Sequence, residues 1–207
     1  MAARGLLLAS VLLSFLASFC HGNVHFSSLS QTLLVTASPK PGQVLKAGVD
    51  RINLTWGLNQ TLSAGTDSTY KTIKVKLCYA PISQVDRGWR KTEDNLSKDK
   101  TCQFTIVAGP YNSADRDAQT REWTIERDVP TATYFVRAFA YDSQGQEVAY
   151  GQTTDAHKAT NLFEVHAISG RHVPLDIASA CFSAFSIVTL FGFFLHDKRK
   201  AKSIQAR

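Results

Sequence analysis

The chain has 207 residues, 44% of them hydrophobic and 19% charged, with 23 Lys and Arg against 17 Asp and Glu for a formal charge of +6. Residues 23 to 173 hold 17 basic and 15 acidic side chains, and 17 − 15 leaves only +2 on the part large enough to fold around a core. The excess basicity sits outside that part, which excludes the folded basic stripe that nucleic-acid recognition requires.

In chain order, the first predicted element is a removable address. Arg4 precedes the apolar stretch Leu6 to Phe19, and Cys20-His21-Gly22 places small residues at −3 and −1 of a cleavage site. Residues 1–22 are expected to be a signal peptide, so that Asn23 starts the mature chain.

From there the periodicity is two almost throughout, which predicts half-buried strands. Candidates lie at Thr32–Ser38, Val44–Ala47 and Arg51–Gly57, then in the rows Ile73/Val75/Leu77/Tyr79 and Phe104/Ile106/Ala108. Further ones follow at Arg121–Glu126, in the row Tyr134/Val136/Ala138/Ala140, at Glu147–Thr153 and at Leu162–Ile168. Turn signals such as Pro39-Lys-Pro-Gly42, Gly109-Pro110 and Ser143-Gln-Gly145 separate them. The predicted fold class for residues 23–173 is all-β, an immunoglobulin or fibronectin III-like β-sandwich with Trp56 in its core.

Three sequons, at Asn53, Asn59 and Asn95, fit passage through the secretory pathway and are expected N-glycosylation sites. Asn53 alternates with Ile52 and Leu54, which places it on the face turned away from the core. Cys20 leaves with the signal and Cys181 falls in a membrane segment, so Cys78 and Cys102 are expected to pair in the oxidising compartment. That bridge is too local to join distant strands of two sheets and would tie off an excursion.

The excursion, residues 79–101, is longer than a sandwich turn needs and carries charge of both signs. Trp89 with Arg87, Arg90 and Asp99 has the make-up of a recognition surface: an aromatic anchor beside fork-shaped donors. The bland reading is a solvated loop whose Trp89 packs back onto the sandwich. A second candidate surface consists of Phe135, Phe139 and Tyr141, which point out with Arg137 if Tyr134, Val136, Ala138 and Ala140 point in. A reversed register or a covering neighbour would remove it.

Pro174 opens the final element. The apolar run Leu175 to Leu195, at about 1.5 Å per helical residue, reaches about 31 Å and matches a bilayer core. Residues 174–195 are therefore the predicted transmembrane helix. Residues 196–207, with Lys198, Arg199, Lys200, Lys202 and Arg207 against Asp197, form a basic tail expected to stay cytosolic. Within the span Ser179, Ser183 and Ser186 share a side, and Ala180 with Ala184 is a small-xxx-small pair suited to packing against another helix.

No HExxH, GxSxG or phosphate-cradling glycine loop occurs, so neither catalysis nor a cofactor or metal site is expected. One span encloses no pore, and transport by this chain alone is excluded as well. What remains is binding.

Several segments carry a family likeness: Leu77 to Lys91, Lys98 to Gln103, Ala132 to Asp142, Val148 to Gln152 and Asn53 to Leu58, with the terminal span and basic tail. Together they resemble the plant high-affinity nitrate transporter-activating proteins. The resemblance implies a non-transporting accessory subunit that stabilises and activates a twelve-span nitrate carrier of the major facilitator class, as a hetero-oligomer at the plasma membrane, in nitrate uptake and assimilation. A cell-surface receptor or adhesion module of sandwich type is the alternative, weakened by the short tail. A lumenal chaperone retained in the ER is disfavoured because neither a dilysine nor a KDEL-type ending is present.

Overall fold

The computed structural model describes residues 23–112, 118–170 and 173–205, so the expected signal peptide at 1–22 lies outside the described residues. The chain divides into two compact units that part between Ala167 and Ile168.

The first unit holds ten strands: β1 (Ser30–Gln31), β2 (Leu33–Ala37), β3 (Val44–Lys46), β4 (Arg51–Leu58), β5 (Thr72–Tyr79), β6 (Phe104–Pro110), β7 (Gln119–Thr124), β8 (Ala132–Tyr141), β9 (Glu147–Gln152) and β10 (Phe163–His166). Strands β2, β4 and β7 form a three-stranded antiparallel sheet. The other seven form a sheet organised around β8, whose ten residues span more than any one neighbour can cover. β5 runs along residues 134–141 on one edge, from Thr72 opposite Tyr141 to Tyr79 opposite Tyr134, with β6 beyond it. The other edge is shared: β9 pairs with residues 137–141 and β10 with residues 132–134. β1 and β3 then add in parallel to β9 and β10.

The core lies between the sheets and is filled by the alternating residues that the period-two pattern selects. Ile52, Leu54, Trp56 and Leu58 of β4 face Ile73, Val75, Leu77 and Tyr79 of β5 and Tyr134, Val136, Ala138 and Ala140 of β8, all buried. Trp56 thus sits where the sequence places it. Tyr134 stacks on Tyr79 at 5.1 Å between ring centroids, and its hydroxyl donates to the Pro130 carbonyl at 2.7 Å. A tyrosine at the start of a sandwich strand bonding back to the preceding corner is a signature of immunoglobulin-like folds.

The sheets are joined at Thr32, where the chain passes from β1 in the large sheet to β2 in the small one. The Thr32 N–H donates to the Tyr150 carbonyl at 3.1 Å, and its hydroxyl is 2.7 Å from the Tyr70 hydroxyl. Just beyond, a Cβ at Gly151 would overlap the Leu33 carbonyl group, so glycine is required for this close backbone approach. Gly151→Ala is expected to destabilise this unit by about 2–3 kcal/mol through forced separation of β2 and β9, measurable as a fall in thermal midpoint.

The second unit is a helix, α1 (Val173–Gln205). Among the described residues it is the one helix long and apolar enough to cross a membrane. Its large apolar side chains from Val173 to Leu195 are exposed. The hydroxyls of Ser179 and Ser186 donate to the carbonyls of Asp176 and Phe182, as a helix in lipid needs. α1 continues past Leu195 into the basic segment, so the described part of the expected tail is helical.

Candidate functional site

On β8, residues Phe135, Arg137, Phe139 and Tyr141 point away from the core, as alternation requires. They are nevertheless buried, Arg137 to 1% and Phe135 to 0% exposure. The expectation that these aromatics form a partner-facing surface is therefore corrected: Lys74 and Lys76 of β5 lie over the Tyr141 and Phe139 rings, and two further segments of the chain cover Phe135 and Arg137.

The first cover is the excursion between the cysteines. Cys78 and Cys102 are bonded, and together with Ala80 and Leu162 they enclose Phe135 in a second, smaller core. The excursion itself is ordered by polar side chains. Asp99 Oδ1 accepts from the N–H groups of Glu93 and Thr101, both at 3.2 Å, and from the Thr101 hydroxyl at 2.6 Å. Gln84 donates to the Tyr79 carbonyl at 3.0 Å and accepts from Thr92. The Arg90 guanidinium lies 4.3 Å over the Tyr79 ring, and its Nη1 donates to the Ser83 carbonyl at 3.3 Å. That contact draws the helical turn Gly88–Arg90 against the turn Pro81–Ser83.

The second cover is the N-terminal segment ahead of β1. Asp94 holds it, accepting from the Ser27 N–H at 2.8 Å, from the Ser27 hydroxyl at 3.0 Å and meeting His25 Nδ1 at 2.9 Å. The Asp94 carbonyl accepts the Phe26 N–H at 2.6 Å. So fixed, Phe26 lies 4.2 Å from the Arg137 guanidinium and closes a cage completed by Phe135, Phe139 and Tyr150. Arg137 donates Nε and Nη2 to Gln152 Oε1, at 3.2 and 2.8 Å. Burial pushes its guanidinium down to about 10, so it remains a cation at neutral pH.

The Ser27 N–H leads the effects that hold the Asp94 carboxyl below its ordinary value of 3.8. A lowered folded value stabilises the attachment at pH above 3.8 and withdraws that support as pH falls through the lower folded value. The Ser27 amide resonance should therefore titrate with a midpoint below 3.8 in the wild type and lose this titration in Asp94→Asn.

The four loop residues singled out in the sequence are thus split. Trp89 is 61% exposed and Arg87 is exposed beside it. Arg90 is 7% exposed and Asp99 is engaged in bonds within the loop. The expected bland alternative for Trp89 does not hold, since its side chain stands out while its carbonyl accepts from Gln103 at 2.6 Å. Exposed Ile82 and Val85 add apolar surface to the same segment. Asn53 is exposed on the outer face of β4, Asn59 follows the end of that strand, and Asn95 lies at the attachment of the N-terminal segment.

Residues 26–170, which include this whole arrangement, match the family described as high-affinity nitrate transporter accessory, Ig-like domain (NAR2). The chain belongs to this family. The likeness extends over full-length relatives. High-affinity nitrate transporter 3.1 of Arabidopsis thaliana is 53% identical over 214 residues, 100% of each chain. High-affinity nitrate transporter 3.2 of the same plant is 52% identical over 98% of each. High-affinity nitrate transporter-activating protein 2.1 of Oryza sativa subsp. japonica is 48% identical over 86% of this chain and 82% of its own.

For this NAR2 chain, sequence reasoning missed Phe26, Asp94 and Gln152, the residues that build the cage and its strap. One signal was present. Tyr134 to Tyr141 is almost continuously apolar, which marks a strand covered on both faces rather than one.

Proposed function

We propose that this NAR2 chain is a non-transporting accessory subunit that binds, stabilises and activates a high-affinity nitrate carrier, a twelve-span protein of the major facilitator class, at the plasma membrane. The observation that carries the reading is the family match across nearly the whole ectodomain, together with relatives named for nitrate transport or its activation that align over 82–100% of their own length. The reading includes α1 as a single span with the ectodomain outside and the basic end cytosolic. It assigns the chain no catalysis. Ser179, Ala180, Ser183, Ala184 and Ser186 are the face of α1 read as packing against the carrier.

The physical action is linkage. A subunit that binds the folded carrier and not its unfolded chain stabilises it by mass action, and one that binds one conformation better shifts the carrier toward it. The contact is read as Trp89 with Arg87, on the exposed side of the disulfide-closed loop. Arg90 and Asp99 support that contact by shaping the loop, and Phe135, Phe139 and Tyr141 by filling the layer beneath it.

Asp99 separates shape from charge. Asp99→Asn keeps an Oδ1 acceptor for the three bonds, whereas Asp99→Ala leaves donors unpaired at about 1–3 kcal/mol. Carrier co-purification is expected to survive in Asp99→Asn and to fall sharply in Asp99→Ala. Loss in both would show that the charge itself meets the carrier.

The function is tested by labelled-nitrate uptake at low external concentration in cells lacking their own system, with this chain alone, a high-affinity carrier alone, and both. Uptake requiring both is the expected result. Equal uptake by the carrier alone, with both proteins confirmed at the surface, would favour the receptor or adhesion reading.

A further inference from the structure

Opposite the covered face, the outer side of the three-stranded sheet carries an open groove of about 370 Å³. Its lining includes Leu34, Gly57 and Ala118 with Thr36, Thr55 and Asn59, and most of the surface it offers is apolar. The groove exists because Gly57, directly across from Leu34 in the β2–β4 pairing, presents no side chain. Leu34 is left 57% exposed as one wall. Such a patch on a secreted domain calls for an occupant.

The chain supplies one at the rim. Asn59 begins the sequon Asn59-Gln60-Thr61, and its Oδ1 accepts from the Thr61 N–H at 3.1 Å and the Thr61 hydroxyl at 2.8 Å. These two bonds fix the amide plane, and among the described residues Nδ2 makes no hydrogen bond. Nδ2 is the atom to which an N-glycan attaches: it displaces a lipid diphosphate from C1 of an N-acetylglucosamine, and the amide loses one proton as the N–C bond forms.

The other sequons lack this combination. Asn95 has the same side-chain turn with Ser97, at 3.0 and 2.7 Å, but lies at the attachment of the N-terminal segment and not on the rim of this groove. Asn53 stands in the middle of β4, and its Thr55 bonds to Thr120 across the sheet.

We infer that Asn59 is glycosylated and that the first sugars of its glycan lie in the Leu34–Gly57 groove, covering an apolar surface that the described residues leave open. A pyranose ring offers an apolar C–H face and an acetyl methyl to such a floor, with hydroxyls left to water. The groove is thereby committed to the chain's own carbohydrate, and this face of the sandwich is closed to protein partners.

The test uses the full-length protein, purified in detergent from a plant-cell host, before and after enzymatic removal of N-glycans in the folded state. Peptide mass analysis reads occupancy at Asn59, and amide hydrogen exchange reads residues 33–37 and 56–61. The expected result is an occupied Asn59, with exchange in both segments rising roughly threefold on deglycosylation while β5 and β8 are unchanged. In Leu34→Ser, which keeps the sequon but removes the wall, deglycosylation should change nothing. An unoccupied Asn59, equal exchange with and without the glycan, or the same dependence in Leu34→Ser would each overturn the inference.

Discussion

Replacing Arg137 with alanine is expected to destabilise the ten-stranded unit by about 3–5 kcal/mol, among the largest effects any single substitution here can produce. The guanidinium fills the centre of the layer between β8 and its covers, in contact with Phe26 at 4.2 Å and with three further rings. Truncation leaves a cavity the size of the side chain and strands Gln152 Oε1 without its two donors. At about 2–4 °C per kcal/mol for a domain of this size, the thermal midpoint should fall by roughly 10 °C. Arg137→Met decides what the residue contributes. Among the described residues no carboxylate lies within ion-pair distance of it, Asp99 attracting it only from farther off, so an apolar chain of similar volume should recover most of the loss. If methionine is as damaging as alanine, the cation is essential to the cage and packing volume is not.

The second large effect belongs to the disulfide. Cys78 and Cys102 are separated by 24 residues, and opening a loop of that size is expected to cost about 3.5 kcal/mol in the chain-entropy treatment. The consequence is local before it is global. With both cysteines changed to serine, the excursion loses its covalent anchor over Phe135, while the core between the sheets keeps its packing. Limited proteolysis should then cut within residues 81–100 at protease concentrations that leave the wild type intact. The thermal midpoint should fall, and carrier co-purification should drop with loop order. A double variant that resists proteolysis like the wild type would show that Asp99, Gln84 and Arg90 hold the loop without the bridge.

These two sites differ in how visible they are in the sequence. The strands were legible because a core on one face imposes alternation: Thr72 to Tyr79 and Glu147 to Gln152 are strands where the pattern puts them. The disulfide was legible by elimination among four cysteines. The layer outside β8 was not, because alternation assumes that the second face meets water, and what covers it comes from residues 24–29 and 79–101, remote in sequence. Arg137 shows the difficulty. In a strand it reads as a solvent-facing charge, and only the arrival of Phe26 and Gln152 from elsewhere makes it interior. Arg90 and Asp99 were selected for their charge, yet their neighbours Ser83, Tyr79 and Thr101 turn both to internal duty.

The N-terminal strap also sets an order of events. Ser30 and Gln31 pair in parallel with Ala149 and Tyr150 of β9, so the first described segment to leave the ribosome finds its place against one made about 120 residues later. At synthesis rates of about 5–20 residues per second, that interval is roughly 6–24 seconds. During it Phe26 has nothing to dock on, and from the emergence of β8 until β9 is complete Phe135, Phe139 and the Arg137 stem stand without their full cover. Chaperone engagement should therefore peak once β8 has emerged and end as β9 is completed, and a substitution that weakens the strap should lengthen that engagement without altering the sandwich core.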